Sequence, residues 1–387
     1  RWMRRVVLKS VASIEDLRRI AHRKVPREIM DYYESGSYFE QTLRANRDDL
    51  ASIKIRQRIL CGASNRDLSQ SLLGVKQPLP LALGPVGLTG MAHRDGEIAA
   101  ARAAEKAGIP YTLSTLSICS IEDVANAVEK PFWFQLYFMK DRGFIADLIA
   151  RAHAARCSAL VLTADLQVLG QRHRDIHNGM TVPPRIRLKT IAHILSKPRW
   201  IAGVLLGKRR TFGNVVGRIA GTENLTSYMD WINSQFDQAL SWDDVAWIRE
   251  RWPGKLIVKG ILDVEDAREA AKAGADAIVV SNHGGRQLDG AASSISILPR
   301  IADAVGSETE ILFDGGIRSG QDVFRALALG ARGCLLGRAY LYGVCAAGEE
   351  GVTKALEIIA KELDVTMALA GLRTIADVGK TSLVDLE

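Results

Sequence analysis

Short apolar runs separated by helix-length polar and small-residue stretches dominate the chain from about residue 79 onward. Leu79–Leu83, Tyr111–Ser114, Trp133–Tyr137, Ala159–Ala164, Lys255–Lys259, Ala277–Val280, Glu310–Phe313 and Cys334–Gly337 are short and almost wholly apolar. Such runs predict strands of a parallel sheet that is covered on both faces. Between them lie helix ends rich in Ala and Gly, as in Ala270–Gly274 and Ala326–Gly330. Helix starts are marked by Ser120 with Asp123, Ser241 with Asp244 and Ser319 with Asp322, the spacing of a capping box with Asp in place of Glu. Eight strands alternating with helices predict an α/β fold, a (β/α)8 TIM barrel over about 79–345. An open doubly wound sheet is the alternative, disfavoured because no G-x-G-x-x-G follows the first strand.

Residues 10–35 read as a helical lead-in and 349–371 as a closing helix. Between about 178 and 241 a long insert after strand four carries no clear βα unit, a length that marks a functional loop more often than a connector. No composition shift divides the chain, so residues 1–387 are expected to form a single domain.

Charge changes the picture at one place. The 387 residues carry 51 Lys and Arg against 44 Asp and Glu, a net +7. Nine of the basic residues lie between Arg185 and Arg218, where there is no acid; the other 42 face the 44 acids. The excess is local, which argues against a nucleic-acid-binding body. Interleaved Ile191, Ile194, Leu195, Trp200, Leu205 and Leu206 give the stretch the look of an interfacial segment for an anionic membrane surface, separable from the chemistry. A solvated insert or a subunit contact is the plainer reading. Five scattered cysteines without a C-x-x-C pair predict neither disulfide framework nor zinc site, and a reducing compartment. No metal is expected. No run of 18 apolar residues and no basic-then-apolar leader is read, so a cytoplasmic location is expected, peripheral on the inner face of the cell membrane if the insert binds there.

The candidate chemistry sits at the C-terminal ends of the strands, where such barrels build their sites. Ser281-Asn282-His283-Gly284-Gly285-Arg286-Gln287-Leu288-Asp289-Gly290 follows the sixth strand. It places a proton acceptor three residues from a planar, carboxylate-matching fork, across two permissive glycines. A polar loop with a structural His is the alternative. Asp314-Gly315-Gly316-Ile317-Arg318 and Gly337-Arg338 end strands seven and eight and resemble a phosphate cradle. Ser114, Gln135 and Thr163 suit the heteroatoms of a flat ring, and Lys259 suits negative charge on it. A phosphorylated flavin is the cofactor these features imply.

With these residues in view, the chain resembles the FMN-dependent L-2-hydroxy-acid dehydrogenase and oxidase family, from about residue 10 to 375. The string Ser281–Gly290 is highly specific to that family. Asp31-Tyr32-Tyr33, Phe134-Gln135-Leu136-Tyr137, Leu162-Thr163-Ala164-Asp165, Val258-Lys259-Gly260, Phe313–Arg318 and Leu336-Gly337-Arg338 agree with its other blocks. Within the family, the likeness is to bacterial respiratory L-lactate dehydrogenases.

The resemblance implies that His283 takes a substrate proton, that Asp165 stabilises the resulting imidazolium, and that Arg286 and Arg172 clamp the substrate carboxylate. Tyr32 adds a hydroxyl, and Tyr137 bonds the substrate oxygen at C2. Val86, Gly87, Ser114, Gln135 and Thr163 would hold the flavin ring, with Lys259 near N1 and Ser281 in support. Asp314, Gly316, Arg318, Gly337 and Arg338 would hold the ribityl phosphate. Leu116 and Leu169 are candidates to line the substrate side-chain pocket. A proline common after the Asp165 block is replaced by Gln167, which leaves that loop's path open. Gly87, where the oxidases tend to carry Ala, favours a dehydrogenase passing electrons to a quinone or cytochrome, and no fused haem domain is expected. The implied activity is oxidation of an L-2-hydroxy acid, foremost L-lactate, in a homo-oligomer of four or more chains. Mandelate or another hydroxy acid, or oxidase chemistry, are the near alternatives. A non-redox FMN barrel isomerase or a silent FMN-binding protein are the distant ones.

Overall fold

All eight apolar runs form strands in the structure, a computed structural model that describes residues 8–179, 188–218, 230–232 and 234–384. Two short strands come first, β1 (Gln70–Leu72) and β2 (Val75–Gln77), paired as an antiparallel hairpin. The barrel strands follow: β3 (Leu81–Leu83), β4 (Thr112–Ser114), β5 (Trp133–Tyr137), β6 (Ala159–Thr163), β7 (Lys255–Ile261), β8 (Ala277–Val280), β9 (Glu310–Phe313) and β10 (Gly333–Leu336). Their order is β3-β10-β9-β8-β7-β6-β5-β4. Every ladder between neighbours is parallel. The ring is completed between β3 and β4, where the Leu83 N–H donates to the Pro110 carbonyl at 2.8 Å and Leu83 bridges Tyr111. The TIM barrel read from the sequence is therefore present.

Strand alternation explains why these runs are apolar throughout. Ala82, Trp133, Ala159, Val161, Ile257, Ala277, Val279, Leu312 and Leu335 form one inward cluster. Leu160, Leu162, Val258, Ile278, Val280, Phe313 and Leu336 belong to the second core, between sheet and helices. The β1–β2 hairpin had no counterpart in the sequence reading. It contributes Leu72 to the inward cluster, and this residue is 1% exposed.

The expected helical lead-in is split in two. Ser13 and Asp16 form a reciprocal cap on the helix Ile14–Lys24, which ends at Val25; a second helix, Arg27–Glu34, starts after Pro26. Proline lacks the N–H that a continuous helix would need there. The break turns the second helix, with Tyr32 and Tyr33, toward the top of the barrel, and Arg18 holds it through Glu34 at 2.6 Å. A further helix, Gln41–Ser52, also escaped the sequence reading. It is tied down from a distance: the Asp289 carboxylate accepts from the N–H groups of Phe39 and Thr42, both at 3.0 Å.

The three expected caps differ in detail. Ser120 and Asp123 satisfy each other's backbone N–H groups. At Ser241 the backbone N–H donates to Asp244 at 2.8 Å. At Ser319 the hydroxyl accepts from the Asp322 N–H, but the Asp322 carboxylate turns to the Arg318 N–H at 2.9 Å. The closing segment comprises two helices, Arg338–Ala347 and Glu349–Ala370. The described part of the insert includes the helix Leu188–Leu195 and a returning leg whose Phe236 bridges Met139 beside β5.

If Leu72 plugs the barrel floor, truncating it leaves a void that rigid strands cannot collapse around. Leu72→Ala is expected to cost about 2–5 kcal/mol of stability, measured as a shift in the urea midpoint with an unchanged slope.

Candidate active site

A cavity opens at the C-terminal ends of the barrel strands, and fourteen of the eighteen site residues singled out from the sequence line it. Tyr32, Val86, Gly87, Tyr137, Thr163, Arg172, Lys259, His283 and Arg286 line one part; Asp314, Gly316, Arg318, Gly337 and Arg338 line the other. The remaining four, Ser114, Gln135, Asp165 and Ser281, stand behind that wall and hold it.

The first support is an amide relay. Buried Gln135 donates through Nε2 to Thr163 Oγ1 at 3.0 Å and accepts from Ser114 Oγ at 3.0 Å and the Thr115 N–H at 3.2 Å. The relay spans the ends of β4, β5 and β6 and fixes the direction of each polar group.

The second support is ionic. Lys259, 4% exposed, donates to Ser281 Oγ at 3.0 Å and pairs with Asp314 Oδ2 at 3.2 Å. Burial works to lower the Lys259 pKa, but Asp314 and Asp165 together hold it above its ordinary value. Burial likewise opposes ionisation of Asp165, and His283 and Lys259 outweigh it, keeping that carboxyl below the ordinary carboxylate range. Asp165 Oδ1 meets His283 Nδ1 at 2.9 Å. Gly260 makes this contact possible: it has φ +106°, and a Cβ there would lie 2.6 Å from Asp165 Cγ.

His283 sits in the left-handed region at φ +59°. Its N–H donates to Ser281 Oγ at 3.1 Å. The Asn282 side chain accepts from the Gly285 N–H at 3.2 Å and pairs reciprocally with Asn46 at 2.8 and 2.7 Å. Gly285 has φ +73°, and a Cβ there would strike the Leu43 N–H at 2.6 Å. The turn that aims His283 is thus held by residues on both sides of it.

Three arginines converge opposite. Arg286 donates to the carbonyls of Tyr32 and Ser35 at 2.7 and 2.9 Å. Arg338 donates to those of Tyr33, Gly284 and Ser35 at 2.8, 3.0 and 3.1 Å. Arg172 donates to Asp175 at 2.6 Å. The guanidinium carbons of Arg286 and Arg172 lie 5.1 and 5.5 Å from the centre of the Tyr32 ring. Burial and then the like charge of Arg172 pull the Arg286 pKa down to about 10; burial and then Arg286 pull Arg338 down to about 9. Among the described residues no carboxylate pairs with Arg286, Arg318 or Arg338. This concentration of positive charge calls for anionic ligands.

The donor set fits FMN. Buried Asp314 Oδ1 has no partner within the protein, an acceptor suited to a hydroxyl-bearing chain. A Cβ on Gly337, at the start of the helix Arg338–Ala347, would meet nothing within 4 Å, so open space adjoins that helix start. At Gly87 a Cβ would meet Leu116 O at 3.4 Å and Leu116 Cβ at 3.7 Å, ordinary contacts.

Several contributors escaped the sequence reading. Asp175 orients Arg172 from three residues away, a spacing visible in the chain. Gln287 donates to the carbonyls of Asp165 and Val168 at 2.7 and 2.9 Å, fixing the loop that lacks the usual proline. Leu166 and Phe236 join Leu116 and Leu169 in the cavity wall. Phe236 packs edge-on against Tyr137 with ring centres 6.4 Å apart. Nothing local marks Phe236 in the insert or Asn46 in the helix Gln41–Ser52; both act through contacts distant in sequence.

The chain as a whole is similar to known proteins. Residues 21–385 match the family described as FMN-dependent dehydrogenase. The chain is 50% identical over 376 residues to an L-lactate dehydrogenase of Caulobacter vibrioides, covering 97% of this chain and 98% of that one. It is also 50% identical to an L-lactate dehydrogenase of Yersinia pestis, covering 96% and 98%. Among solved structures it is similar to a monotopic membrane protein, (S)-mandelate dehydrogenase, with a TM-score of 0.93 and 37% identity, covering 97% of this chain and 100% of that one.

The pKa directions set a pH dependence. The folded-state pKa of Asp165 lies below its unfolded value, so its stabilisation is present above the ordinary carboxylate range and is lost as pH falls through the folded value. Lys259 behaves oppositely, stabilising below its unfolded pKa and losing that contribution as pH rises through the raised one. The stability difference between wild type and Asp165→Asn should therefore be largest near neutrality and shrink below about pH 4. Denaturant titrations across pH measure it; a difference that stays constant into acid contradicts the assignment.

Proposed function

The chain belongs to the FMN-dependent dehydrogenase family, and from that premise we propose that it oxidises L-lactate to pyruvate within one catalytic domain. The substrate gives up two electrons and two protons, and bound FMN supplies the two-electron acceptor. The observation that carries the reading is the facing of a carboxylate-backed His283 by Arg286 and Arg172 across one cavity. A base beside two guanidinium groups suits a carbon bearing both a hydroxyl and a carboxylate. The L-lactate assignment draws on the relatives that share half of this sequence.

On this reading each residue has a part. Arg286 and Arg172 bind the substrate carboxylate, with the Tyr32 ring near both guanidinium groups and its hydroxyl as a further donor. Burial raises the Tyr137 pKa, so its phenol stays a donor to the substrate oxygen at C2. His283 takes a substrate proton at Nε2 while Asp165 holds Nδ1 and stabilises the imidazolium. Leu116, Leu166, Leu169 and Phe236 exclude water and receive the small side chain. Lys259, Val86, Gly87 and Thr163 would hold the flavin ring, backed by Ser114 and Gln135 of the relay. Asp314, Gly316, Arg318, Gly337 and Arg338 take the ribityl phosphate; the three Arg338 bonds to carbonyls give that side chain the added task of fixing the helix Arg27–Glu34. Gly87, where the family's oxidases tend to carry Ala, supports a dehydrogenase reading, with a quinone or cytochrome as acceptor.

We also read the enzyme as peripheral to an anionic membrane. Among the described residues no helix is long and apolar enough to cross a membrane. Leu188, Leu195 and Leu206 are 86%, 67% and 69% exposed, beside exposed Lys189, Arg199 and Lys208. The basic stretch is less uniform than its sequence suggests. Arg209 pairs with Asp95 and Asp123 at 2.7 and 2.8 Å, and Arg218 with Asp147 at 3.1 Å. Those charges are matched by the barrel's own acids, and Arg185 and Arg187 lie outside the described residues.

Two outcomes test these readings. On anaerobic mixing with L-lactate the wild-type flavin should bleach, and His283→Gln should keep FMN but reduce it about 10²–10⁴-fold more slowly; reduction within tenfold of wild type refutes the role of His283. Wild type should co-sediment with anionic vesicles at low salt, each well-placed cation contributing about 1 kcal/mol. Leu195→Ser with Leu206→Ser should weaken that binding and leave flavin reduction intact. No co-sedimentation at low salt contradicts the membrane reading.

A further inference from the structure

The returning end of the basic insert is bonded to the loop that carries Leu116 of the active-site cavity wall. Asn214 is completely buried. Its Nδ2 donates to the carbonyl of Thr115 at 3.2 Å and to Ser117 Oγ at 3.1 Å, with a longer contact of 3.4 Å to the Ser114 carbonyl. Its Oδ1 accepts from the Ile121 N–H at 2.9 Å, the first residue of the helix Ile121–Ala125, and from Arg151 at 3.4 Å. One amide therefore spans both ends of the loop that leaves β4.

The neighbours of Asn214 tighten the same joint. The Gly213 N–H donates to the Ser117 carbonyl at 3.0 Å, and a Cβ on Gly213 would lie 2.6 Å from the Ser120 N–H. Only a glycine lets the insert approach so closely. Arg209 adds its ion pairs to Asp95 and Asp123. The loop so held carries Ser114, the first donor to Gln135, and Leu116, whose carbonyl receives the Leu88 N–H at 2.8 Å and lies against Gly87.

We propose that Asn214 is a positioning residue for the flavin-facing wall formed by Ser114–Ser117 and Gly87. It acts through the carbonyls of that loop and touches no ligand. The distal part of the insert, with its exposed leucines, is available to a surface, while Arg209, Gly213 and Asn214 are bonded to the loops behind that wall. The segment 185–218 is thus not separable as a whole: exchange of all of it would unseat the wall. The proposal rests on the reading of this cavity as the FMN and hydroxy-acid site.

The test compares Asn214→Ala, the isosteric Asn214→Asp and the neighbour Val215→Ala in the full chain. Three quantities are read: the FMN dissociation constant by quenching of free-flavin fluorescence, the bound flavin's absorption band, and KM against kcat for L-lactate. Both Asn214 variants should bind FMN roughly tenfold more weakly, the scale of one lost buried hydrogen bond, with a shifted absorption band and a raised KM. Val215→Ala removes packing from the same leg, and should lower the melting temperature while leaving FMN affinity and the band unchanged. Ser117→Ala removes one anchor from the loop side and should move FMN affinity the same way by a smaller factor; it decides the matter if the Asn214 variants fail to fold. FMN affinity and KM within twofold of wild type in folded Asn214 variants, or in Ser117→Ala where those do not fold, would overturn the proposal. An equal loss of FMN affinity in Val215→Ala would do so too. Wild-type flavin that binds but does not bleach with L-lactate would refute the functional reading instead, leaving the FMN-affinity comparison valid.

Discussion

Burying an ammonium group among carboxylates at the open end of a barrel constrains much of what surrounds it. An unpaired Lys259 at this depth would be strongly disfavoured, and so would an unpaired Asp165 or Asp314. Together the charges are tolerable, but only in a fixed arrangement. Asp314 follows β9, Lys259 lies in β7, Asp165 follows β6, and Ser281 and His283 follow β8. The cluster thus ties four consecutive strand ends together. Gly260 must lack a side chain to admit Asp165, and His283 must take a left-handed backbone to reach it. Of the three arginines opposite, Arg172 is paired with Asp175, while Arg286 and Arg338 have no carboxylate partner among the described residues.

The barrel was legible in the chain because its strands are buried on both faces, which leaves almost no polar residue inside them. Polar residues at their C-terminal ends were therefore conspicuous, and the candidate site could be read as a sequence of strand endings. Depth was not legible. Ser114, Gln135 and Ser281 look like ligand contacts in the sequence, and the structure adds that they bond to other wall residues. Arg338, read as a phosphate contact, also spends three donors on backbone carbonyls. What the chain conceals are pairings distant in sequence: Asn46 with Asn282, Asp289 with the N–H groups of Phe39 and Thr42, and Leu72 on the barrel floor. The break at Pro26, which divides the helical lead-in in two, is a further feature that the expectation for residues 10–35 did not include.

The basic insert divides along physical lines that its composition conceals. Its outer helix presents Leu188, Lys189 and Leu195 to the surroundings. Its inner leg is bonded to the loops after β3 and β4 through Trp200, whose indole donates to the Met91 carbonyl at 2.8 Å, and through Arg209 and Asn214. A surface that engaged the outer part would press on a structure continuous with the cavity wall. Phe236 completes this continuity from the far end of the insert by closing the apolar side of the cavity against Tyr137.

The central claim is that one cavity binds a small L-2-hydroxy acid by its carboxylate and presents its C2 centre to His283 and the flavin with a single handedness. The most direct measurement is anaerobic rapid mixing of the holoenzyme with L-lactate, D-lactate and L-mandelate, following flavin absorbance. Rapid, complete bleaching by L-lactate, slower bleaching by L-mandelate and none by D-lactate is the predicted result. Equal rates for the two lactate enantiomers, or an oxidised flavin that persists with every L-2-hydroxy acid, would contradict it.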